Sequence, residues 1–448
     1  MINLHVGGAG INLGARFWSD LGAEHRVDGA GNYVGDHERD LRRAGAFYHE
    51  QSTGQQCPRA LFVDLDPASR PAVSPHLFAL DAGVFGRHTT GNNFAAGRLT
   101  EGPEIIDACM ERIRGLVEQC DQLEGFLMMH SLGGGTGSGF GSLLLQSLAD
   151  FYRSSVRTTF SLLPSHSTSC IVEPYNEVLA IHALHESATM MVPLDNRALL
   201  GLSKISNSAS GLLDYSDMNA VLSRAMSNLT ASLRFPGTLN TSIRKMVTNL
   251  VPFPRLNLCT PALAPLDADA RLSTQALVGQ LFDPCSSLMG MSWKRGRFLS
   301  AYVSFRGFLS PSEAAHECQA AKQSQSFLEW IPDSFHVSHL NDNSGAHVSA
   351  TILANSTAIM GPLSSQLERF SKMLRRDAFL HNFLAEGMEK SDFYAASETL
   401  RSIHDEYQQV HESDAVDILP SSRSTLDEEA GGGDEAIHVA LADDADTF

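Results

Sequence analysis

Residues 125–153 read GFLMMHSLGGGTGSGFGSLLLQSLADFYR and combine three patterns in one short segment. The apolar run at 125–130 is long enough for one buried strand, and the apolar residues of 144–152 recur at helical spacing. Between them stand five glycines, at positions 133, 134, 135, 137 and 139. Glycine loses more backbone freedom on folding than any other residue, so this loop must need backbone without side chains. A strand, a glycine loop and a helix in this order predict a cradle of N–H groups for a phosphate.

This loop differs from two familiar phosphate-binding loops. No Gly-Lys-Ser/Thr follows it, so it is not a Walker loop, and it lacks the strict Gly-x-Gly-x-x-Gly of dinucleotide folds. A flexible linker is the alternative, but linkers are not usually flanked so closely by an apolar strand and an apolar helix. Ser131, Thr136 and Ser138 add hydroxyl donors to the predicted cradle.

The first half of the chain repeats the alternation of strand and helix about six times, which predicts a parallel doubly wound sheet. The other strands are predicted at 4–6, 60–63, 158–163 and 189–192, and the main helices at 103–121 and 215–234. A second glycine turn is predicted at 7–14, and a short helix near 39–48.

The second half has a different pattern. Strands are predicted at 256–259, 298–305, 327–331 and 347–354, and helices from residue 364 onward. The last helix, in 391–413, carries one apolar stripe, made of Phe393, Ala396, Leu400, Ile403, Tyr407 and Val410. Residues 426–448 hold eight acidic residues and no Lys or Arg, so we expect a disordered acidic tail.

Polar residues follow several of the predicted strands. Asp64 and Asp66 stand where open α/β sheets bind ligands, and they suit Mg²⁺, although a helix cap or turn accounts for them equally well. The turn at 89–93 would offer N–H groups to a terminal phosphate, yet most such turns only reverse the chain. His182 and His185 lack a third ligand, so we predict surface histidines rather than a metal site.

Composition bounds the class of protein. A chain of 448 residues predicts two or more domains. The net charge of −18 argues against a nucleic-acid partner. Seven scattered cysteines without a Cys-x-x-Cys pair predict reduced thiols. No apolar run is long enough for a membrane span and no leader pattern is present, so we expect an intracellular protein.

Taken together, these motifs resemble the tubulin family, and within it the β-type. The resemblance covers nearly the whole chain. It rests on these runs: Ser131–Gly139, Val63–Pro67, Val172–Asn176, Arg234–Gly237, Val251–Arg255, Phe327–Pro332 and Glu386–Met388. It implies an α/β fold with an N-terminal doubly wound GTP-binding domain, a second α/β sandwich domain and a C-terminal helical hairpin. The implied domains are 1–212, a connecting core helix at 213–236, an intermediate domain at 237–363, C-terminal helices at 364–425 and the tail at 426–448.

The resemblance also implies a GTP site with Mg²⁺. The implied phosphate cradle is Ser131, Gly133, Gly134, Gly135, Thr136, Gly137 and Ser138, completed by Gly7, Gly8, Asn12, Gly91 and Asn92. Asp66 would assist Mg²⁺. Glu173 would hold the ribose, Tyr215 would stack on the base, and Asn196 and Asn219 would read guanine, because an amide offers both a donor and an acceptor.

Position 245 distinguishes the subtypes within the resemblance. In α-tubulins a glutamate at the matching position helps to activate water on the GTP of the neighbouring subunit. This chain has Lys245, and a cation cannot act as that general base at neutral pH. The resemblance therefore implies no catalytic residue in cis, and a weak GTPase completed in trans by a glutamate of an α-tubulin partner.

The implied setting is the microtubule cytoskeleton of the cytoplasm, with an α-tubulin heterodimer, other tubulin subunits in a filament, and motors or associated proteins on 364–448. The chain departs from the family at Gly8 and Asn12, where glutamine is usual, and at Ser169, an aspartate position. Its loop 267–273 is short, and that loop makes lateral contacts in the family. The alternative is a GTP-binding module that caps or decorates microtubules without lateral assembly. A dinucleotide-dependent oxidoreductase is a third hypothesis, suggested by the two glycine turns.

Overall fold

The computed structural model has a parallel sheet in its first half. The strands there are β1 (Ile2–Val6), β2 (Tyr48–Glu50), β3 (Gln56–Pro58), β4 (Ala60–Asp64), β5 (Gly83–Phe85), β6 (Gly125–Ser131), β7 (Val156–Leu163) and β8 (Met190–Asp195). The helices are α1 (Gly7–Glu24), α2 (Glu101–Glu118), α3 (Gly141–Phe151), α4 (Glu173–Ser187), α5 (Asn196–Ser206) and α6 (Tyr215–Arg234). Six strands pair in the order β5-β4-β1-β6-β7-β8, all parallel, which confirms the predicted doubly wound sheet.

Alternating side chains of this sheet pack into two separate hydrophobic cores, one on each face. On β6, Phe126 and Met128 pack on one face with α2, α3 and α4. Leu127 and Met129 pack on the other face with α1, α5 and α6. Successive residues of a strand point to opposite faces, so a strand with apolar residues at every position must be covered on both sides. This is why the run at 125–130 forms a central strand.

A second, mixed sheet forms in the second half. Its strands are β9 (Cys259–Ala264), β10 (Phe298–Arg306), β11 (Phe335–Leu340) and β12 (Ser349–Ser356), in the order β11-β10-β12-β9. The helices are α7 (Ile243–Leu250), α8 (Thr274–Leu281), α9 (Pro311–Ser324), α10 (Met360–Leu374), α11 (Leu380–Ala385) and α12 (Lys390–Glu412). The predicted stripe of α12 is confirmed, because all six of its residues are buried.

Helix α6 lies between α1 and the second sheet, and a buried ion cluster fixes it there. The two carboxylate oxygens of Glu24 on α1 accept from Arg234 of α6, at 2.7 Å, and from Arg306 of β10, at 2.6 Å. Burial alone would raise the pKa of Glu24, but the two guanidinium groups outweigh it and lower the pKa to about 2. The carboxylate is therefore charged at neutral pH and ties three elements together.

The predicted glycine turn at 7–14 is wrong. Helix α1 begins at Gly7, directly after β1, and Gly7 alone makes the change of direction, with a φ of +74°. Gly10 is already helical, and a Cβ on it would collide with the carbonyl oxygen of Met129. Gly10 and Gly14, whose added Cβ atoms would collide with Met129 and His5 of the sheet, thus allow α1 to lie directly on it.

The predicted short helix near 39–48 is also wrong. The described residues there form one 3-10 turn, Ala44–Ala46, and then the hairpin of β2 and β3. Arg59 follows the hairpin and is buried; it donates to the carbonyls of Tyr48, at 3.1 Å, and Gln119, at 3.2 Å. A contact made across sixty residues of sequence holds this segment, so local periodicity could not reveal it.

Two of the predicted strands of the second half are displaced. The strand predicted at 256–259 begins only at Cys259, because the chain before it is held by the Asn355 amide, which donates to the Leu256 carbonyl at 2.6 Å. The strand predicted at 327–331 makes a single bridge at Phe327, whose ring stacks on Phe298 at 4.8 Å. The parallel partner strand of β10 is instead β11.

The prediction of two surface histidines on α4 is wrong for His185, which is buried. Burial lowers the pKa of His185 to about 4, so the ring is neutral at physiological pH. His182 is half-buried, and its Nδ1 lies 2.9 Å from the Thr399 hydroxyl of α12. Within the described residues, no group of three or more His, Cys, Asp or Glu side chains could hold a metal ion.

The structure describes residues 1–37, 40–69, 77–79, 82–164, 170–206, 215–235, 242–267, 270–340 and 348–413. Ser169, part of the loop 267–273 and the predicted tail at 426–448 lie outside these ranges. Residues Met1–Glu412 form one compact unit, so the predicted domain limits remain predictions about organisation within it. All seven cysteines are free thiols. Among the described helices, none combines the length and apolarity that a membrane span requires.

Candidate functional site

A cavity of about 410 Å³ lies at the carboxyl-terminal edge of the first sheet. It forms where the chain leaves three neighbouring strands, β1, β4 and β6, the edge at which open α/β sheets bind ligands. Its walls contain these predicted site residues: Gly7, Gly8, Asp66, Gly91, Asn92, Ser131, Gly134, Gly135, Thr136 and Gly137. The fold therefore brings together, from four separate parts of the chain, most of the residues that the sequence predicted for phosphate binding.

Gly134 is the loop glycine in the cavity wall at which an added Cβ would have room. A Cβ built on Gly134 would meet only the Oδ1 atom of Asn92, at 3.7 Å, which is an ordinary contact distance. The missing side chain at this position leaves room on the cavity wall. This is the arrangement expected where a ligand approaches the backbone closely.

Gly139 serves a different purpose, because a Cβ on it would collide with the carbonyl oxygen of Phe94. The glycine loop continues into a π-helical turn, Thr136–Phe140, which packs against a second π-helical turn, Ala96–Thr100. Backbone meets backbone between these two turns. Part of the glycine content of the loop therefore serves packing, which the sequence alone had assigned entirely to phosphate binding.

Asn176 connects the segments around the cavity, and sequence reasoning gave it no role. Its side chain is fully buried in α4. The Nδ2 group donates to the carbonyls of Asn92 and Gly133, both at 2.7 Å, and Oδ1 accepts from the N–H of Phe94, at 3.1 Å. Three of its polar contacts are thus used to hold the 92–94 turn against the glycine loop. Its place in the run Val172–Asn176 was the signal available in the sequence.

His130 holds the glycine loop in place through a hydrogen bond to its backbone. Its ring is fully buried, and burial lowers its pKa to about 4, so the ring is neutral. Nδ1 lies 2.7 Å from the Gly137 carbonyl and must donate to it, which leaves Nε2 to accept from the Ser161 hydroxyl, also at 2.7 Å. The Gly137 carbonyl is therefore fixed toward the core rather than toward the cavity.

Two carboxylates and no basic side chain line the cavity, among the residues that the structure describes. Asp64 Oδ1 accepts from the N–H of Asp66, at 3.2 Å, and Asp66 Oδ1 accepts from the N–H of Ala68, at 2.9 Å. A polyphosphate here would face two negative charges, so a divalent cation would be needed for charge balance. Mg²⁺ is commonly held by one or two carboxylates together with phosphate oxygens and water, and this donor set fits it.

The predicted ribose- and base-binding residues lie further along the same sheet edge. Glu173 begins α4, beside the glycine loop: a Cβ on Gly133 would lie 3.4 Å from its Cγ. Asn196 begins α5 at the end of β8, and Tyr215 begins α6, which packs against α5. Asn219 stands one turn after Tyr215, whose side chain is 62% exposed. These four predicted residues and Gly133 do not line the cavity, which we call the phosphate cavity after the residues predicted to bind phosphate there.

Two further predicted residues lie away from the cavity wall. Ser138 is fully buried, and its hydroxyl and its N–H both donate to the Gly134 carbonyl, the latter at 3.2 Å. Its donors therefore shape the loop from within. Asn12 is exposed on α1, one turn after Gly8.

Lys245 lies at the opposite edge of the sheet from the cavity. It is exposed on α7, and its N–H donates to the hydroxyl of Ser242, which caps the helix, at 3.2 Å. The neighbouring Arg244 donates to the Ser154 carbonyl at 2.9 Å, just before β7 begins. With a rise of about 3.3 Å per residue, the eight residues of β7 separate the two edges by about 26 Å.

Comparisons with known proteins agree with this architecture. The model of the Tubulin/FtsZ family GTPase domain matches residues 1–204, and that of the Tubulin C-terminal domain matches residues 254–367. The chain is 39% identical to the Tubulin beta-1 chain of Chondrus crispus, across 93% of this chain and 94% of that protein. The chain belongs to the tubulin family. The predicted resemblance is confirmed, and the fold described above is the tubulin fold.

In this tubulin every residue that lines the phosphate cavity falls within the span matched by the GTPase domain. Tyr215, Asn219 and Lys245 lie outside both matched spans, so their roles rest on position in the fold and on the motifs around them. Membership of the family leaves the dinucleotide-dependent oxidoreductase without support.

Proposed function

We propose that this tubulin is a β-like, GTP-binding structural subunit of microtubules. It would pair with an α-tubulin, join further tubulin subunits head to tail and work in the cytoplasmic cytoskeleton, where 364–448 would meet motors or associated proteins. The observation that carries the proposal is the placement of the cavity and Lys245 on opposite edges of one sheet. Contacts between unlike faces can repeat from subunit to subunit, and they build a filament when the rotation between subunits does not close a ring.

The nucleotide would lie along the carboxyl-terminal edge. Its phosphates would meet the N–H groups of Gly134–Gly137, and Gly91 and Asn92 would lie near the terminal phosphate. Asp66 would assist in holding Mg²⁺. Its base would lie between the starts of α5 and α6. Two features support this arrangement: the cavity has room for phosphates next to backbone without side chains, and its carboxylates call for a cation.

Co-sedimentation with α-tubulin and Mg²⁺ tests the proposal, in GTP and in a non-hydrolysable analogue. We expect polymer with both nucleotides and phosphate release only with GTP. Bound guanine nucleotide should be recovered from the heterodimer. If the purified chain binds no guanine nucleotide, or no α-tubulin under any condition, the proposal is wrong.

A second candidate is a module that caps or decorates microtubules without lateral assembly. It is favoured by the short loop 267–273, in which Arg271 and Leu272 are exposed. A heterodimer that binds guanine nucleotide but never sediments, and that binds only filament ends, would favour this candidate. Uniform incorporation along the lattice would exclude it.

Exchange of Lys245 for glutamate tests whether the residue at position 245 controls hydrolysis of the GTP bound by the adjoining subunit. We expect Lys245→Glu to accelerate hydrolysis of the GTP held by the adjoining partner about 100-fold, because a positioned carboxylate can act as a general base. Single-turnover phosphate release from assembled heterodimers is the measurement. Lys245→Gln is the matched control, since it removes the cation without supplying a base. Equal rates for the two variants would contradict the proposed role of position 245.

A further inference from the structure

A second cavity, of about 470 Å³, lies beside the proposed base site but shares no residue with the phosphate cavity. Its walls come from the ends of β7 and β8, the start of α5, the segment 284–295 and the first turns of α10. Three arginines line it, Arg197, Arg295 and Arg369, and we call it the arginine pocket. Its volume falls within the range of about 300–1,000 Å³ that small-molecule sites occupy.

Positive charge outweighs negative charge around this pocket. Arg197 Nη2 lies 3.5 Å from Asp195 Oδ2, and Arg369 Nη2 lies 2.8 Å from the Oε2 atom of the fully buried Glu177. Arg295 is exposed, and its guanidinium has no partner among the described residues. Among the residues that line the pocket, three guanidinium groups thus stand against one carboxylate, that of Asp195, in a chain whose net charge is −18. A local excess of positive charge on an acidic protein is a feature that would attract a small anion.

A buried polar atom that lines the pocket lacks a hydrogen-bond partner among the described residues. Gln366 is only 6% exposed, lines the pocket, and carries an Oε1 atom without a hydrogen-bond partner in the described part of the chain. Unpaired buried polar atoms are uncommon in folded proteins, so a hydrogen-bond donor is expected on the occupant. The first turn of α10 also borders the pocket, at Gly361 and Pro362.

The remaining wall is apolar. It is formed by Leu163, Pro164, Met289, Met291 and Pro362. Guanidinium groups and apolar side chains in one pocket match a ligand with a charged head and an apolar body.

We propose that the arginine pocket binds a small organic anion, with a carboxylate or phosphate head and an apolar body that also bears a hydrogen-bond donor. The head would be bound by Arg295 and Arg197, and the donor would meet Gln366. This site is separate from the proposed nucleotide site, so the proposal does not depend on GTP binding.

The test uses the full chain with saturating GTP and Mg²⁺, titrated with 4-hydroxybenzoate and with 4-hydroxyphenyl phosphate and followed by calorimetry and ligand-observed NMR. We expect saturable binding of at least one of the two anions, and which one binds identifies the head group. Benzylamine should not bind. If neither anion binds, or if benzylamine binds as tightly as the anions, the proposal is overturned.

Two charge reversals locate the binding. Arg295→Glu should weaken binding of the anion about tenfold or more. Lys294→Glu is the matched control: it changes the net charge equally at the adjacent, exposed position but does not line the pocket, so it should weaken binding less than about threefold. Equal losses in the two variants would overturn the proposal. So would competition between the anion and GTP, because the anion would then occupy the nucleotide site.

Discussion

Replacing Gly139 by alanine is expected to destabilise the fold by at least about 3 kcal/mol, whereas replacing Gly134 leaves the fold intact. The two glycines are five residues apart in one loop, and alanine adds the same single methyl group at each. At Gly139 that group would collide with the Phe94 carbonyl oxygen. The atom in the way belongs to the backbone, so no side-chain rotation can relieve the clash and the backbone must shift.

Gly134→Ala is expected to act on the ligand instead. Its methyl group would make only an ordinary contact with Asn92 Oδ1 and would occupy space on the cavity wall. We expect guanine nucleotide affinity to fall about tenfold or more, with a change in stability within about 1 kcal/mol.

Thermal midpoints measured without added nucleotide, and nucleotide affinities measured by fluorescent-analogue displacement, separate the two effects. The expected pattern is a lower midpoint for Gly139→Ala and an unchanged midpoint with weaker binding for Gly134→Ala. If both variants lost stability equally, the division of the loop between packing and ligand binding would be incorrect. If Gly134→Ala bound nucleotide normally, Gly134 would not adjoin the phosphates.

Periodicity in the sequence was sufficient for much of the fold. The apolar run at 125–130 and the stripe of α12 were predicted correctly because each repeats over enough residues to select one period. The displaced strands of the second sheet show the limit. Phe327 lies in an apolar run that looks like a strand, but it packs by ring stacking on Phe298, and β10 pairs with a more polar segment at β11. Which segment pairs with β10 depends on tertiary contacts, which local periodicity does not encode.

The candidate site likewise contains some residues that the sequence could predict and others that it could not. Residues that present backbone, such as Gly134, could be predicted because so many glycines in one short loop are costly unless close approach to the backbone requires them. The side chains that hold this backbone in place could not be predicted. Asn176 and His130 are buried side chains whose partners lie up to 84 residues away in sequence, and a lone Asn or His has no pattern that indicates such contacts. The predicted glycine turn at 7–14 failed for a related reason, since close packing on Met129 requires the same residue type as a turn.

Glu177 is expected to make the stability of this tubulin depend strongly on pH. Burial raises the pKa of Glu177 to about 8 from its ordinary 4.5, and the nearby Glu173 and Asp195 act in the same direction, while Arg369 opposes them. Because the folded chain holds this proton more tightly than the unfolded chain, stability falls as the pH rises from 4.5 to 8, and changes little from this source above that. Each pH unit in that window costs about 1.4 kcal/mol.

Glu177→Gln should remove this dependence, because glutamine resembles the protonated acid in shape and can still accept from Arg369. We expect the variant to gain on the order of 3 kcal/mol relative to the parent between pH 6 and pH 8, measured by chemical denaturation at several pH values. Glu186→Gln, on the exposed side of the same helix, is the matched control and should follow the parent at every pH. A variant less stable than the parent at pH 8 would mean that the ion pair with Arg369 outweighs the cost of burying Glu177, and that Glu177 is charged in the folded protein.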